Sequence, residues 1–184
     1  MICRRLRRPH GSGVWAIGGA TLDVLTQITG EGPLRVITHA RTRADGSLAV
    51  AVPAGPSRLV QVAYRAFSSD ASYAAQAEIQ ESVGAGVQLS ITPRRTSSTG
   101  TVILTGRVQG PIPPQGTIVD LLVHYRGHWE PFRTPRTDSN GRFQVIYQFE
   151  GGLGRFPFRA EVPAGQAGFP FTDGYSNTVD VTTS

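Results

Sequence analysis

The chain has 184 residues, enough for one large domain or two domains of about 90 residues each. Its 22 Gly, 13 Pro and 17% charged residues predict many short strands joined by tight turns rather than helices. It has no apolar run of about 20 residues that could span a membrane. It has no lysine, which excludes Schiff-base and lysine-nucleophile mechanisms.

The first 18 residues are predicted to be a basic, disordered leader. They contain Arg4, Arg5, Arg7 and Arg8, together with the single cysteine. Removing these four arginines from the 18 basic residues leaves 14 against 13 acidic ones, so the remaining chain is nearly neutral. A nucleic-acid-binding protein carries a basic stripe on its folded body, and we therefore predict no nucleic-acid partner. No apolar core of a signal peptide follows the basic residues.

Three short segments occur twice, at offsets of 94 to 97 residues and in the same order. The pairs are Gly19–Val24 with Gly116–Leu121, Thr42–Leu48 with Thr137–Phe143, and Val62–Ala66 with Phe156–Ala160. Such a repeat predicts two tandem copies of one structural unit. Asp-Gly and Asn-Gly in the middle pair favour the φ > 0 geometry of tight turns, so this pair predicts the same β-hairpin in each copy. A calcium loop begun at Asp138 would require Glu at its twelfth position, which is Phe149.

The first copy is predicted to span residues 19–85, with the boundary near Gly84–Gly86. Leu48, Val50 and Val52 alternate with small residues, as in a half-buried strand. No strand pair is evident ahead of Gly19, so we predict that this β-sandwich lacks its N-terminal strands. Because it also has small residues where the second copy has Phe, we expect it to be the less stable copy.

The second copy is predicted to span residues 86–184. Alternating apolar and polar residues, with turn residues every 8–12 positions, are typical of an antiparallel immunoglobulin-like β-sandwich. Seven strands are predicted, at 87–91, 101–108, 117–125, 131–137, 142–149, 155–161 and 176–183. The predicted fold class is therefore all-β, with two tandem antiparallel β-sandwich modules.

Residues that could perform catalysis or hold a metal are sparse. His124 and His128 would lie about 13 Å apart along one strand, too far to share a metal ion. The chain contains no Gly-x-Ser-x-Gly motif around a nucleophile. Asp23 and Asp120 occupy equivalent positions in the two copies, which favours a structural role. We therefore predict no enzyme activity, no catalytic residue, no metal site and no cofactor.

Aromatic residues are concentrated in the second copy, and most of them alternate as core residues do. Tyr125 and Trp129 flank a predicted loop and, together with Phe132, could form a platform that stacks sugars or peptides. The alternative is that Trp129 folds back over the edge of the sandwich.

The residues from Gly19 to Thr183 resemble two kinds of bacterial β-sandwich module. "GATLDVL" and "TRADGSLAVAVPAGPSRLVQVAYRA" are similar to carboxypeptidase regulatory-like (transthyretin-like) modules of surface and secreted proteins. The second copy, with "WEPFRTPRTDSNGRFQVIYQF" and "YSNTVDVTT", resembles the immunoglobulin-like module that often follows them. The resemblance implies an extracellular or cell-envelope location and supplies no site residues.

Two functions follow as predictions. The first is a non-catalytic structural or interaction segment of an exported protein, part of a longer multi-module chain, without membrane insertion. The second is a carbohydrate-binding module that uses the region of Tyr125 and Trp129. The sequence does not decide whether the partner is a protein or a glycan.

Overall fold

The computed structural model describes residues 2–5, 7–10 and 13–184, with side chains from residue 16 onward. All regular secondary structure in the described residues is β, which confirms the predicted all-β class. The chain divides into two compact units, Met1–Ser82 and Val83–Ser184. The boundary therefore lies three residues before the expected one. No helix of the described residues is long and apolar enough to cross a membrane.

Unit 1 (residues 1–82) contains eight strands among its described residues. They are β1 (Ile2–Arg5), β2 (Arg7–His10), β3 (Gly13–Ala16), β4 (Thr21–Ile28), β5 (Arg35–Arg41), β6 (Ser47–Val50), β7 (Arg58–Tyr64) and β8 (Ala75–Glu81). Four of them form an antiparallel sheet in the order β5-β4-β7-β8, β1 pairs with β6, and β2 pairs with β3. Leu22 of β4, Leu48 of β6 and Val62 of β7 form a buried cluster, so the sheet of β6 packs against the four-stranded sheet.

Unit 2 (residues 83–184) contains nine strands. They are β9 (Val87–Thr92), β10 (Arg95–Thr96), β11 (Thr101–Val108), β12 (Asp120–Tyr125), β13 (His128–Arg133), β14 (Arg142–Gln148), β15 (Gly154–Val162), β16 (Gly174–Tyr175) and β17 (Val179–Thr183). One sheet has the order β14-β11-β9, and the other has the order β10-β17-β15-β12-β13, with β16 beside β15. Each of the seven predicted strands is present, with ends that differ by a few residues.

The two units share one strand order. The run β5-β4-β7-β8 in unit 1 matches the run β13-β12-β15-β17 in unit 2, and β1-β6 matches β11-β14. The matching strands follow one another in the same sequence along each unit. The tandem arrangement predicted from the repeated segments is therefore confirmed at the level of topology.

The first 18 residues differ from the predicted disordered leader. The structure describes β1, β2 and β3 within them, and β1 pairs in antiparallel fashion with β6 from Ile2 opposite Val50 to Arg5 opposite Ser47. The partner strand explains the difference, because β6 would otherwise have no neighbour in its sheet. The two strands predicted to open the second copy are β9 and β11. In unit 1, β1 is the counterpart of β11. The described residues of unit 1 include no counterpart of β9.

The recurring segment builds the same turn in each unit, as predicted. The amide of Gly46 donates to the carbonyl of Arg43, and the amide of Gly141 donates to that of Asp138. Both glycines have positive φ, 74° and 77°, where a side chain is strained. The turn is not a hairpin, however: β5 and β6 lie in different sheets, and so do β13 and β14. That prediction was wrong because turn chemistry specifies a local reversal and not the sheet that the next strand joins.

A buried threonine at the start of this segment ties each turn to the backbone that leads into β4 or β12. The amide of Ala20 donates to Thr42 Oγ1 at 2.9 Å, and the amide of Thr117 donates to Thr137 Oγ1 at 2.9 Å. Thr42 and Thr137 are both buried. The same bond thus links corresponding positions in the two units.

The third repeated segment was aligned incorrectly. Ala63 pairs with Asp23, whereas Glu161 pairs with Asp120. Ala63 therefore corresponds to Glu161, and the register differs by four residues from the alignment of Val62–Ala66 with Phe156–Ala160. Both segments alternate with period two, and a shift by an even number of residues keeps the inward and outward faces unchanged.

The buried cores of the two units differ in size and composition. Unit 2 has one continuous cluster that draws residues from both of its sheets and includes Phe143, Phe149, Phe158 and Phe169. The described side chains of unit 1, from residue 16 onward, form two small clusters of three buried residues each, all of them Leu or Val. Since burial of apolar area stabilises folds by about 25 cal/mol per Å², the larger aromatic core gives unit 2 the greater hydrophobic stabilisation.

Candidate functional site

The three residues of the predicted aromatic platform do not share one surface. Phe132 packs on the core, with its ring centroid 5.5 Å from that of Phe158. Tyr125 lies two residues beyond Val123, which also packs on the core, so alternation along β12 places both on the inward face. Trp129 pairs with His124 on the opposite face of the sheet. The platform as predicted is therefore not assembled.

A different set of side chains surrounds Trp129. Arg159 belongs to β15 and pairs with Leu122 of β12. Its neighbour Phe158 is buried in the core, so alternation turns Arg159 to the other face. This face of the sheet, directed away from the core, is called the outer face of unit 2. It carries Leu122, His124, Trp129, Arg159, Glu161 and Tyr175.

The guanidinium of Arg159 lies between two aromatic rings. Its Cζ is 4.3 Å from the ring centroid of Trp129 and 4.6 Å from that of Tyr175. Both distances are within the range of a cation–π interaction, which contributes about 0.5–1 kcal/mol at an exposed site and more when desolvated. The His124 ring meets Trp129 edge-on, with centroids 5.2 Å apart. The indole ring is therefore bordered by two nitrogen-bearing side chains.

The electrostatics of this cluster are asymmetric. The hydroxyl of Tyr175 donates to Glu161 Oε1 at 3.0 Å. This hydrogen bond and the negative charge of Glu161 raise the pKa of Tyr175. Arg159 Nε, in contrast, is buried and has no hydrogen-bond partner among the described residues. The described residues also provide no ion-pair partner for Arg159, although Arg58, Arg65 and Arg155 each have one.

Sequence reasoning found Trp129 and missed Arg159 and Tyr175. These residues are far from Trp129 along the chain, and only the pairing of β12 with β13 and β15, and of β15 with β16, brings them together. One available signal was the alternation of "FPFRAEV", which places Arg159 and Glu161 on the same polar face of a strand.

Unit 1 has its own cluster, centred on Asp23. Asp23 Oδ1 is 2.9 Å from His39 Nδ1, and Asp23 Oδ2 accepts from Arg65 Nη1 at 2.9 Å and from the Tyr73 hydroxyl at 3.0 Å. Arg65 also lies over the Tyr73 ring, with its Cζ 4.4 Å from the centroid. Partial burial and the hydrogen bond to Asp23 raise the pKa of Tyr73.

The Asp23 cluster has the composition of a catalytic pair but not its connectivity. A cavity of about 450 Å³ beside it is lined by residues that include Asp23, His39 and Ser68. A Ser–His–Asp mechanism requires the hydroxyl to be hydrogen-bonded to the second imidazole nitrogen, and no described hydroxyl makes that bond to His39 Nε2. Asp23 instead joins β4, β5 and the segment that contains Tyr73. This arrangement supports the structural role predicted for Asp23.

The remaining sequence candidates have local partners. Asp120 accepts from Thr134 Oγ1 at 2.9 Å. His128 Nε2 lies 2.6 Å from Glu130 Oε1, whereas His124 contacts Trp129. Among the residues that the structure describes, no group of three or more His, Cys, Asp or Glu side chains could hold a metal ion.

Comparisons with known proteins assign no family. No family model matches the chain, and no curated protein matches it. Among solved structures, the D0–D1 domain of intimin is 15% identical, with 92% of this chain and 84% of that chain covered and a TM-score of 0.37. A tetra-tandem repeat in the extending region of a large adhesion protein is 13% identical, with 90% and 42% covered and a TM-score of 0.40. Similarity at this level assigns no function to the chain.

Proposed function

We propose that this chain is a non-catalytic interaction segment of an exported or cell-surface protein, built from tandem β-sandwich units. The observation that supports the proposal is the strand order that units 1 and 2 share. Direct repetition of one module is typical of proteins that offer an extended binding surface, and not of enzymes that enclose a substrate. The resemblance of the first copy to carboxypeptidase regulatory-like modules remains a prediction.

The polar clusters support a non-catalytic role. Asp23 is engaged by His39, Arg65 and Tyr73 together, so its carboxylate holds strands in place. Asp138 accepts the amides of Asn140 and Arg142 within its turn. Each of these carboxylates therefore has a structural use.

Labelling of intact cells tests the proposed location. An antiserum raised against the purified chain should label unpermeabilised cells of the source organism or detect the protein in the culture medium. Labelling that requires permeabilisation, with none in the medium, would contradict an exported protein. An antiserum against a known cytoplasmic protein provides the control for cell integrity.

A second candidate function is carbohydrate binding on the outer face of unit 2. The supporting observation is that Trp129 and Tyr175 both lie on this face, with Tyr175 52% exposed. Aromatic rings on an open surface stack against sugar rings. A glycan array probed with the purified chain should show binding that Trp129→Ala removes. Phe67→Ala, at an aromatic residue 72% exposed in unit 1, is the matched control and should leave the binding unchanged.

A further inference from the structure

We propose that Arg159 is the anion-recognising residue of a site for acidic glycans on the outer face of unit 2. The proposal rests on the candidate carbohydrate function above and adds the chemistry of the ligand: a sugar that carries a carboxylate. Trp129 and Tyr175 position the guanidinium, and its charge pairs with the ligand's carboxylate.

Arg159 is held in place without a counter-ion from the described residues. The rings of Trp129 and Tyr175 lie 4.3 Å and 4.6 Å from its Cζ and fix the plane of the guanidinium. Aromatic rings satisfy none of its N–H donors in the way a carboxylate does, and Nε has no hydrogen-bond partner in the described part of the chain. A positioned guanidinium without an ion-pair partner is matched in charge and shape to a carboxylate.

In unit 1, the same pair of residue types does hold a carboxylate. Arg65 stacks on Tyr73 much as Arg159 stacks on Tyr175, at 4.4 Å and 4.6 Å from the ring centroids. Asp23 lies against Arg65 and accepts from its Nη1 at 2.9 Å. The two arginines are not equivalent in strand register. Because Ala63 corresponds to Glu161, the residue of unit 1 that corresponds to Arg159 is Gln61, not Arg65. These two stacks lie at different positions, one with an internal carboxylate and one without; in the described part of the chain Arg126 also lies over a tyrosine, with its Cζ 5.1 Å from the ring centroid of Tyr125.

Among the described residues, no acidic side chain of this sheet forms an ion pair with Arg159, and Asp180, which also faces outward, pairs with Arg155. Glu161 accepts the hydroxyl of Tyr175, and Asp120 accepts that of Thr134. Neither forms an ion pair with Arg159. His124, which contacts Trp129, provides a second nitrogen-bearing side chain. Its ring can donate a hydrogen bond to a sugar hydroxyl or accept one from it.

A glycan suits this surface better than a peptide does. Arg159 lies on β15, whose backbone groups are paired with β12, β16 and β17, whereas β13 is the edge strand of the sheet. An extended peptide is normally bound at a sheet edge, where unpaired backbone groups provide its hydrogen bonds. A sugar needs an aromatic surface and a few polar side chains, and Trp129, Tyr175, His124 and Arg159 provide these.

Binding to matched pairs of glycans tests the proposal on the full chain. The probes are oligogalacturonate and its methyl ester, sialyllactose and lactose, and poly-L-glutamate, measured by calorimetry at about 0.15 M salt, where long-range charge effects are screened. At least one acidic glycan should bind, and its neutral partner should bind at least about tenfold more weakly. Arg159→Gln should cause a similar loss. Arg65→Gln, at the stack that already holds Asp23, is the matched control and should bind like the wild type.

Each outcome decides a different part of the proposal. Absence of binding to both acidic glycans, or equal binding by Arg159→Gln, overturns it. Equal binding of an acid and its neutral partner, with loss in Trp129→Ala, overturns the role of Arg159 and leaves the carbohydrate function standing. Equally tight binding of poly-L-glutamate overturns the assignment to glycans. If Arg159→Gln fails to fold, the comparison of acid with methyl ester on the wild-type protein still decides whether the carboxylate is recognised.

Discussion

Gly106 of β11 lies directly opposite Phe143 of β14, and a Cβ added to Gly106 would come within 2.2 Å of the Phe143 ring. The carbonyl oxygen of Gln88 would be 2.5 Å away on the neighbouring strand. The missing side chain therefore makes the space that the aromatic ring fills.

Gly106→Ala should destabilise unit 2 by about 1–3 kcal/mol, the usual cost of overpacking a core. Equilibrium urea denaturation of the two proteins measures the difference. Gly55→Ala is a suitable control, because the nearest atom to its added Cβ, Arg58 Nη1, would be 3.2 Å away, against 2.2 Å for the nearest atom at Gly106. A variant at Gly106 as stable as the wild type would contradict this packing.

Phe143→Ala should lower the free energy of unfolding by about 3–5 kcal/mol, because it leaves a cavity in the continuous core of unit 2. Phe67→Ala, which removes an exposed ring, should change it by less than about 0.5 kcal/mol. Both values come from denaturant melts of the full chain. A loss below about 1 kcal/mol at Phe143 would mean that β14 presents its other face to the core.

Thr137→Val keeps the shape of the side chain but removes the acceptor for the amide of Thr117. That amide donates to Thr137 Oγ1 at 2.9 Å in a buried site, and leaving it without a partner should cost about 1–3 kcal/mol. Thr42→Val removes the corresponding bond in unit 1 and also the bond that Thr42 Oγ1 donates to the carbonyl of Ile17 at 2.7 Å, so unit 1 should lose at least as much. Hydrogen exchange, which reports on each unit separately, distinguishes the two losses. A neutral Thr137→Val would show that the bond contributes nothing to the turn.

The turn at Asp138 should weaken the protein in acid. The amide of Arg142, and then that of Asn140, donate to its carboxylate and hold the pKa of Asp138 below its usual value of 3.8. Because the folded state has the lower pKa, this contribution is complete above about pH 4 and is lost as the pH falls through the folded-state value. The difference in stability between the wild type and Asp138→Asn should therefore shrink as the pH falls below about 4. A difference that is constant from pH 7 to pH 2 would rule out this role.

Residues 83–184 expressed alone should fold cooperatively as a monomer, since they contain both sheets and the continuous core of unit 2. A fragment that begins at residue 86 should be less stable. It lacks Ala85, which is buried in that core, and the bonds that Val83 and Ala85 make with Thr172 at 2.9 Å and 3.0 Å. Thermal melts and native mass spectrometry compare the two fragments. Identical melting temperatures would place the boundary of the unit at residue 86.

The pairing of β1 with β6 changes the expected effect of removing the N-terminal residues. Removing residues 1–12 deletes β1, the ladder partner of β6, so the melting temperature of unit 1 should fall. A purely disordered leader would leave it unchanged.

Local sequence patterns determined the fold class, the repeat and most of the strands. Period-two alternation specifies a strand and its inward face wherever one face is buried, which is why the seven strands of unit 2 were found. Glycines that must adopt positive φ specify the turns at Gly46 and Gly141. Both kinds of signal act between residues that are close along the chain, so they can be recognised without the tertiary structure.

Only the tertiary structure decided which strands become neighbours and what meets on their faces. The turns before β6 and β14 lead the chain into a second sheet. The sequence of β1 does not indicate a strand, and only its pairing with β6 identifies it. Arg159 and Tyr175 reach Trp129 because β15 lies beside β12 and β16 lies beside β15, while Phe132 turns inward. The physical reason is that ladder pairing joins residues that are far apart along the chain. A register shift by an even number of residues leaves the alternation of apolar and polar side chains unchanged, so this alternation does not specify the register.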